Sequence, residues 1–174
     1  MAFPVSTRST DDLITAAIWN ADIVANLNNS VMHLLARKTS DENVTTTTLQ
    51  DDDTLVTPSI GTNEVWQLRL LLSVITGAGG MKSSFSFPTS GDLQMTLLGL
   101  DSASAAVQQK RLTASDGDTV SYLANWTTGR LYIMDVLYIN AGTAGVVTFR
   151  NALTSASGTS TVKAQSTLWG VRLV

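Results

Sequence analysis

The fold is decided by one stretch of the chain, Gly61-Thr62-Asn63-Glu64-Val65-Trp66-Gln67-Leu68-Arg69-Leu70-Leu71-Leu72-Ser73-Val74-Ile75-Thr76. Every even position from residue 66 to residue 74 is apolar. Because side chains alternate between the two faces of a strand, this pattern predicts a long β-strand with one unbroken core face. The odd positions mix apolar and polar residues, so we expect the second face to meet another layer or another subunit.

Shorter segments repeat this alternation downstream, separated by turn residues. One of them, 131–139, is apolar on both faces, which is typical of a central strand. With no helical pattern between these segments, the sequence predicts a mainly β, antiparallel sandwich, most simply a jelly roll. The other predicted strands are 55–57, 81–87, 93–97, 103–113, 119–123, 146–150 and 161–173.

The first part of the chain has a different, helical pattern. Apolar residues recur every three or four positions between Thr15 and Leu35, which predicts one α-helix with a single apolar stripe. We therefore predict an N-terminal helical arm over residues 1–45 and a β-sandwich domain over residues 46–174. The stripe residues that we expect to anchor the arm to a partner are Trp19, Ile23, Leu27 and Val31.

The two ends of this helix carry suitable residues. Thr15 is a good N-cap, because its hydroxyl accepts a hydrogen bond from a free backbone N–H of the first turn. Arg37 and Lys38 follow the last apolar position, where cations suit the negative end of the helix dipole.

The composition excludes several classes of protein. Only 14% of the 174 residues are charged, against about 25% in a typical domain, so we expect part of the surface to be buried in an assembly. The net charge of −3 and the lack of a clustered basic face argue against a nucleic-acid partner, and we predict none. No apolar run is long enough for a membrane span, and the start lacks a signal core. We expect a protein of the cytoplasm or of a particle assembled there.

Catalytic and cofactor chemistry has little support in the sequence. The chain has no Cys and a single His, His33, which lies beside Leu34 and Leu35 in the predicted helix and is assigned a packing or interface role. The segment Gly77-Ala78-Gly79-Gly80 joins two predicted strands, so we interpret it as a hairpin turn and not as a phosphate loop. We predict that the protein is not an enzyme and binds no cofactor.

Two acidic features have specific interpretations. Asp51-Asp52-Asp53 is predicted to be an exposed turn before a strand, because calcium loops alternate their ligands around a glycine; a bound metal ion is the alternative. Asp135 lies inside the most apolar strand, where a buried carboxylate needs a partner, and the candidates are Arg69, Arg130 and Arg150. A carboxylate pair for glycoside hydrolysis, drawn from Asp92, Asp101, Asp116, Asp118 and Asp135, is the enzymatic alternative.

Three segments of the sequence resemble small virion proteins of tailed bacteriophages. The helix opening at 12–27 is similar to the start of those proteins. Arg37-Lys38-Thr39 and the following Thr46-Thr47-Thr48-Leu49-Gln50-Asp51-Asp52 resemble their next segment. The ending, from Val147-Thr148-Phe149-Arg150 through Val162-Lys163-Ala164 to Leu168-Trp169, resembles their last strands.

The resemblance implies a structural role in the virion. We predict a capsid decoration (head auxiliary) protein, a homotrimer on the capsid exterior that packs on the major capsid protein and stabilises the shell. The alternative is a tail-fibre or tail-tip protein that binds a receptor or a carbohydrate. That function needs exposed aromatic rings, and Trp126 and Tyr122 are the candidates for such a contact.

Overall fold

The chain folds into twelve β-strands in a computed structural model that describes residues 32–99, 107–112, 119–122 and 125–173. No α-helix occurs within those ranges. The strands are β1 (His33–Arg37), β2 (Glu42–Val44), β3 (Gln50–Val56), β4 (Val65–Thr76), β5 (Met81–Ser86), β6 (Gly91–Leu98), β7 (Val107–Leu112), β8 (Val120–Tyr122), β9 (Trp126–Asn140), β10 (Thr148–Ala152), β11 (Ser160–Val162) and β12 (Thr167–Arg172).

The strands form two antiparallel sheets, and most connections cross from one sheet to the other. The larger sheet has eight strands in the order β1-β12-β4-β9-β6-β7, with β11 on the same edge of β4 as β12 and with β2 beside β11. The smaller sheet has four strands in the order β3-β10-β5-β8. The mainly β, antiparallel fold predicted from the sequence is therefore confirmed for the described residues.

The predicted long strand is β4, and its even positions form the core face. Leu68, Leu70, Leu72 and Val74 are fully buried, and Trp66 packs against the same cluster. Phe85 and Phe149, from the smaller sheet, belong to this cluster too, so both sheets share one core. Full burial of one such side chain contributes roughly 1.5–3 kcal/mol, which makes β4 a main source of stability.

Strand β9 has two apolar faces, as predicted for residues 131–139. Its even positions, among them Tyr132 and Tyr138, are buried in the shared core. The ring of Tyr132 meets the ring of Tyr122 from the smaller sheet edge-on, with centroids 4.7 Å apart. The odd positions point away from the core, and Leu131 is 65% exposed.

The glycine-rich segment 77–80 connects β4 to β5 and so crosses between the two sheets. The prediction of a hairpin turn is therefore wrong, although the segment does join two strands. A Cβ atom on Gly79 would lie 2.3 Å from the carbonyl oxygen of Ser157, and one on Gly77 would lie 2.4 Å from that of Thr159. Glycine is required here because the crossing packs directly against the backbone of the loop before β11.

The predicted helix is wrong at its C-terminal end, because residues 33–35 lie in β1. This strand pairs antiparallel with β12, from His33 opposite Gly170 to Arg37 opposite Thr167. A short run of apolar residues satisfies a helical and an extended pattern equally well, and the partner strand β12, near the other end of the sequence, decides between them. Leu34 points outward and Leu35 packs against Gly170.

Residues 33–44, which the sequence assigned to the arm, thus pair with the larger sheet through β1 and β2. The predicted helix up to residue 31 lies outside the described residues. This includes all four predicted anchoring residues, Trp19, Ile23, Leu27 and Val31.

A core substitution tests the role of β4. We expect Leu70→Ala to lower the free energy of unfolding by about 2–5 kcal/mol, because the side chain is fully buried and leaves a cavity. Leu131→Ala is the matched control on the exposed face of the neighbouring strand. At low protein concentration it should change the free energy of unfolding by less than ~0.5 kcal/mol. Urea unfolding measures both values, and equal losses would contradict the assignment of the two faces.

Candidate functional site

The outward side chains of the larger sheet form an apolar surface, which we call the outer face. On three neighbouring strands the register places Leu71 beside Ile133, and Ile133 beside Leu98, in one continuous apolar row. Leu98, Leu131 and Ile139 are exposed. The apolar residues of the outer face are Leu34, Val65, Leu71, Ile75, Leu98, Leu131, Ile133, Leu137, Ile139, Trp169 and Val171.

An ion pair lies in the middle of the outer face. Arg69 of β4 stands directly opposite Asp135 of β9, and its Nε donates to Asp135 Oδ1 at 2.6 Å while its Nη2 donates to Oδ2 at 3.1 Å. These hydrogen bonds raise the pKa of Arg69. Of the three arginines that the sequence offered as partners for Asp135, Arg69 is the correct one. The prediction of a buried pair is wrong, because both side chains are partly exposed on the outer face.

A shallow, open depression adjoins this ion pair. Its lining includes the amide side chains of Gln67 and Gln94, together with Thr96 and Leu137. Its open shape suits a side chain presented by a partner surface better than an enclosed small molecule.

A buried ion pair holds β1 and β2 to β3. The Lys38 side chain is 2% exposed, and its Nζ donates to Oδ1 and Oδ2 of Asp52 at 3.0 and 2.9 Å and also to Glu42. Asp52 Oδ1 further accepts the backbone N–H groups of Thr54 and Leu55 at 2.9 and 2.8 Å. Burial by itself would lower the pKa of Lys38, but the hydrogen bonds to Glu42 and Asp52 outweigh it and raise this pKa.

This cluster corrects two predictions from the sequence. Lys38 does not end a helix, and Asp52 is buried in β3 and not exposed in a turn. Carboxylate oxygens of Glu42, Asp52 and Asp53 lie within 4.8 Å of one another, a spacing that would suit a metal ion. The ammonium group of Lys38 already supplies a positive charge among these carboxylates. Its Nζ atom lies 3.8 Å from Oδ1 of Asp53, the most distant of the three.

The two aromatic residues predicted to make an exposed contact have different outcomes. Tyr122 is 3% exposed, and its burial against Tyr132 raises the pKa of its hydroxyl group, so the prediction of an exposed contact there is wrong. Trp126 is the first residue of β9 and pairs with Thr76. Its side chain lies outside the described part of the structure.

The sequence matches no protein-family model and no curated protein. In the parts of the chain that the structure describes, no helix is long and apolar enough to cross a membrane.

The buried ion pair is tested by removing its cation. We expect Lys38→Ala to lower the free energy of unfolding by about 3–5 kcal/mol, because Asp52 stays buried without its counter-charge. Lys163→Ala is the control, because Lys163 pairs with Asp41 near the surface. This variant should lower the free energy of unfolding by no more than about 1 kcal/mol. Chemical denaturation at neutral pH measures both, and a small effect of Lys38→Ala would contradict this account.

Stability should also fall at alkaline pH. Lys38, Tyr122 and Tyr138 all have a raised pKa in the folded chain, and burial raises the pKa of Tyr138 to about 12. Each group therefore holds its proton more tightly when folded, so its contribution is complete below the ordinary pKa of about 10 and is lost as pH rises through the folded pKa.

We expect the midpoint of urea unfolding to fall steadily above about pH 10, with a smaller slope in Tyr122→Phe. Unfolding followed by fluorescence at stepped pH measures the slope. An unchanged slope in that variant would contradict the assignment of the tyrosine.

Proposed function

We propose that this chain is a non-enzymatic structural protein of a tailed-bacteriophage virion, a capsid decoration protein that works by packing as a homo-oligomer. The observation that carries the proposal is the outer face, an apolar sheet surface with exposed Leu98, Leu131 and Ile139. Exposed apolar patches of this kind mark protein interfaces. The phage assignment rests on the resemblance of the helix opening, the connector and the last strands.

The strand order supports a jelly roll as the finer description of the fold. Counting β3 as the first strand, the smaller sheet holds strands 1, 8, 3 and 6, and the path β4-β9-β6-β7 holds strands 2, 7, 4 and 5. A jelly roll, an architecture that occurs in viral capsid proteins, has the same strand order, and this agreement supports the finer description. Strands β1, β2, β11 and β12 extend the larger sheet beyond β4 and so widen the outer face.

In the proposed role, assembly removes the outer face from water. Burial of apolar surface stabilises an assembly by roughly 25 cal/mol per Å², so a shell gains cohesion from each added subunit without any chemical step. The predicted helix, with Trp19, Ile23, Leu27 and Val31, would dock on the major capsid protein. A homotrimer is the assembly expected from the sequence, but the proposed function requires only that the outer face be buried in a homo-oligomer.

Mass spectrometry of purified particles of the virus that encodes the chain tests this proposal. We expect the protein to be present in a copy number comparable to that of the major capsid protein. Particles made without it should release their genome at a lower temperature. Its absence from purified particles would contradict a virion role. Immunogold labelling confined to the tail tip would contradict the assignment to the capsid and favour the alternative of a tail protein.

A matched pair of variants links particle incorporation to the outer face. Leu137→Lys places an uncompensated charge on that face, and we expect at least a ~10-fold lower occupancy on particles. Thr154→Lys adds the same charge to an exposed loop and should leave occupancy unchanged. Equal occupancy of the two variants would contradict a role of this face in assembly.

A further inference from the structure

We propose that the outer face is covered by the same face of a second copy of this chain, related by a two-fold axis that runs along the strands between β4 and β9. In this pair, Arg69 of each copy meets Asp135 of the other. The inference rests on the proposed function, because it names the partner of the same surface and the symmetry of the contact.

The central ion pair makes the outer face self-complementary in charge. Arg69 and Asp135 lie side by side on adjacent strands, at the same level of the sheet. Consider a two-fold axis that lies in the interface, parallel to β4 and β9 and midway between them. It places β4 of one copy over β9 of the other, and each residue keeps its position along the strand direction. Arg69 of one copy then faces Asp135 of the other, twice. An axis across the strands would instead place Asp135 against Asp135, which like-charge repulsion disfavours.

The same axis brings apolar residues together on both sides of the ion pair. Leu71 and Ile133 occupy one level of β4 and β9, and Val65 and Ile139 occupy another. The exchange places Leu71 against Ile133 and Val65 against Ile139 of the second copy. One level between them is mixed, since Gln67 would meet Leu137. A two-fold interface needs such a self-complementary patch, in which residue i meets residue j and j meets i.

The outer face is large enough for a stable contact. The sheet from β1 to β7 is symmetric about the proposed axis and spans five inter-strand steps of about 4.8 Å, and from Val65 to Ser73 it spans eight residue steps of about 3.4 Å. This gives roughly 24 by 27 Å between Cα positions, before the side chains at the rim are added. A standard interface needs about 800 Å² on each partner, which is the same order.

Complementary charge variants of the full chain test the pairing. Arg69→Asp and Asp135→Arg each remove the ion pair within one copy and leave two charges of the same sign on the face. A homodimer of either variant would bring four like charges together, so we expect its dissociation constant to be at least ~100-fold weaker than that of the unmodified protein. An equimolar mixture restores opposite charges across the interface and should associate within ~10-fold of the unmodified protein.

Sedimentation equilibrium measures these constants, and native mass spectrometry should find one copy of each variant in the mixed dimer. Restoration in the mixture cannot come from a pair within one copy, because that pair is broken in both variants. A mixture that fails to associate would overturn the inference, as would an unmodified protein that stays monomeric up to millimolar concentration. Circular dichroism confirms that both variants are folded, which we expect because the pair lies at the surface.

Single cysteines provide a second test that leaves the ion pair intact. The chain has no Cys, and Leu98 of β6 and Thr167 of β12 occupy the same level of the sheet, three strands apart. The proposed axis places Leu98 of one copy opposite Thr167 of the other, about 10 Å away across the interface, whereas two copies of either position lie roughly 17 Å apart.

A short bismaleimide should therefore cross-link Leu98→Cys to Thr167→Cys in a mixture at least ~10-fold faster than it links either variant to itself. Equal rates would overturn the two-fold arrangement. A trimeric mass of the unmodified protein would also overturn it and leave the proposed virion function standing. Absence of the protein from purified particles would contradict the virion function. The dimer could still be tested in that case, because its measurements use only the purified protein.

Discussion

The pairing of β4 with β9 is the interaction on which the rest of the structure depends. The register runs from Val65 opposite Ile139 to Thr76 opposite Trp126, and it places the two strands at the centre of the larger sheet. One side of this pair contributes the leucines and tyrosines of the shared core. The other side carries the apolar rows and the ion pair of Arg69 with Asp135. A slip of one residue would exchange the two faces, so folding and assembly depend on the same register.

The sequence predicts this central pair well for a physical reason. Strands β4 and β9 are both long. The period of two over residues 66–74 of β4 has no helical interpretation, and the apolar run 131–139 of β9 is typical of a central strand. The apolar residues among the odd positions of β4, and on both faces of β9, indicated the second apolar face and hence a further layer or an assembly. The chemical need of Asp135 for a cation indicated an ion pair, although sequence offered three arginines and only the register selects Arg69.

Other features depend on contacts between distant parts of the chain, which a local pattern does not contain. Residues 33–35 satisfy a helical pattern and become a strand because β12 lies beside them. Lys38 was expected at the end of a helix and Asp52 in an exposed turn, but the pairing of β1 with β12 and of β2 with β11 brings their charges together in a buried ion pair. Tyr122 lies in a strand, β8, as predicted for residues 119–123, but it was expected to be exposed, and its ring instead packs against Tyr132 in the core.

The central claim is that the outer face is covered when the protein assembles. Methyl NMR of the full chain with a soluble paramagnetic agent tests it directly, by comparing the leucine methyl groups on the two sides of β4. The account predicts that, at concentrations where the protein is assembled, Leu71 and Leu137 become nearly as shielded as the core residue Leu70, and that dilution removes this protection. Strong relaxation of the Leu71 and Leu137 methyl groups at every concentration would contradict it.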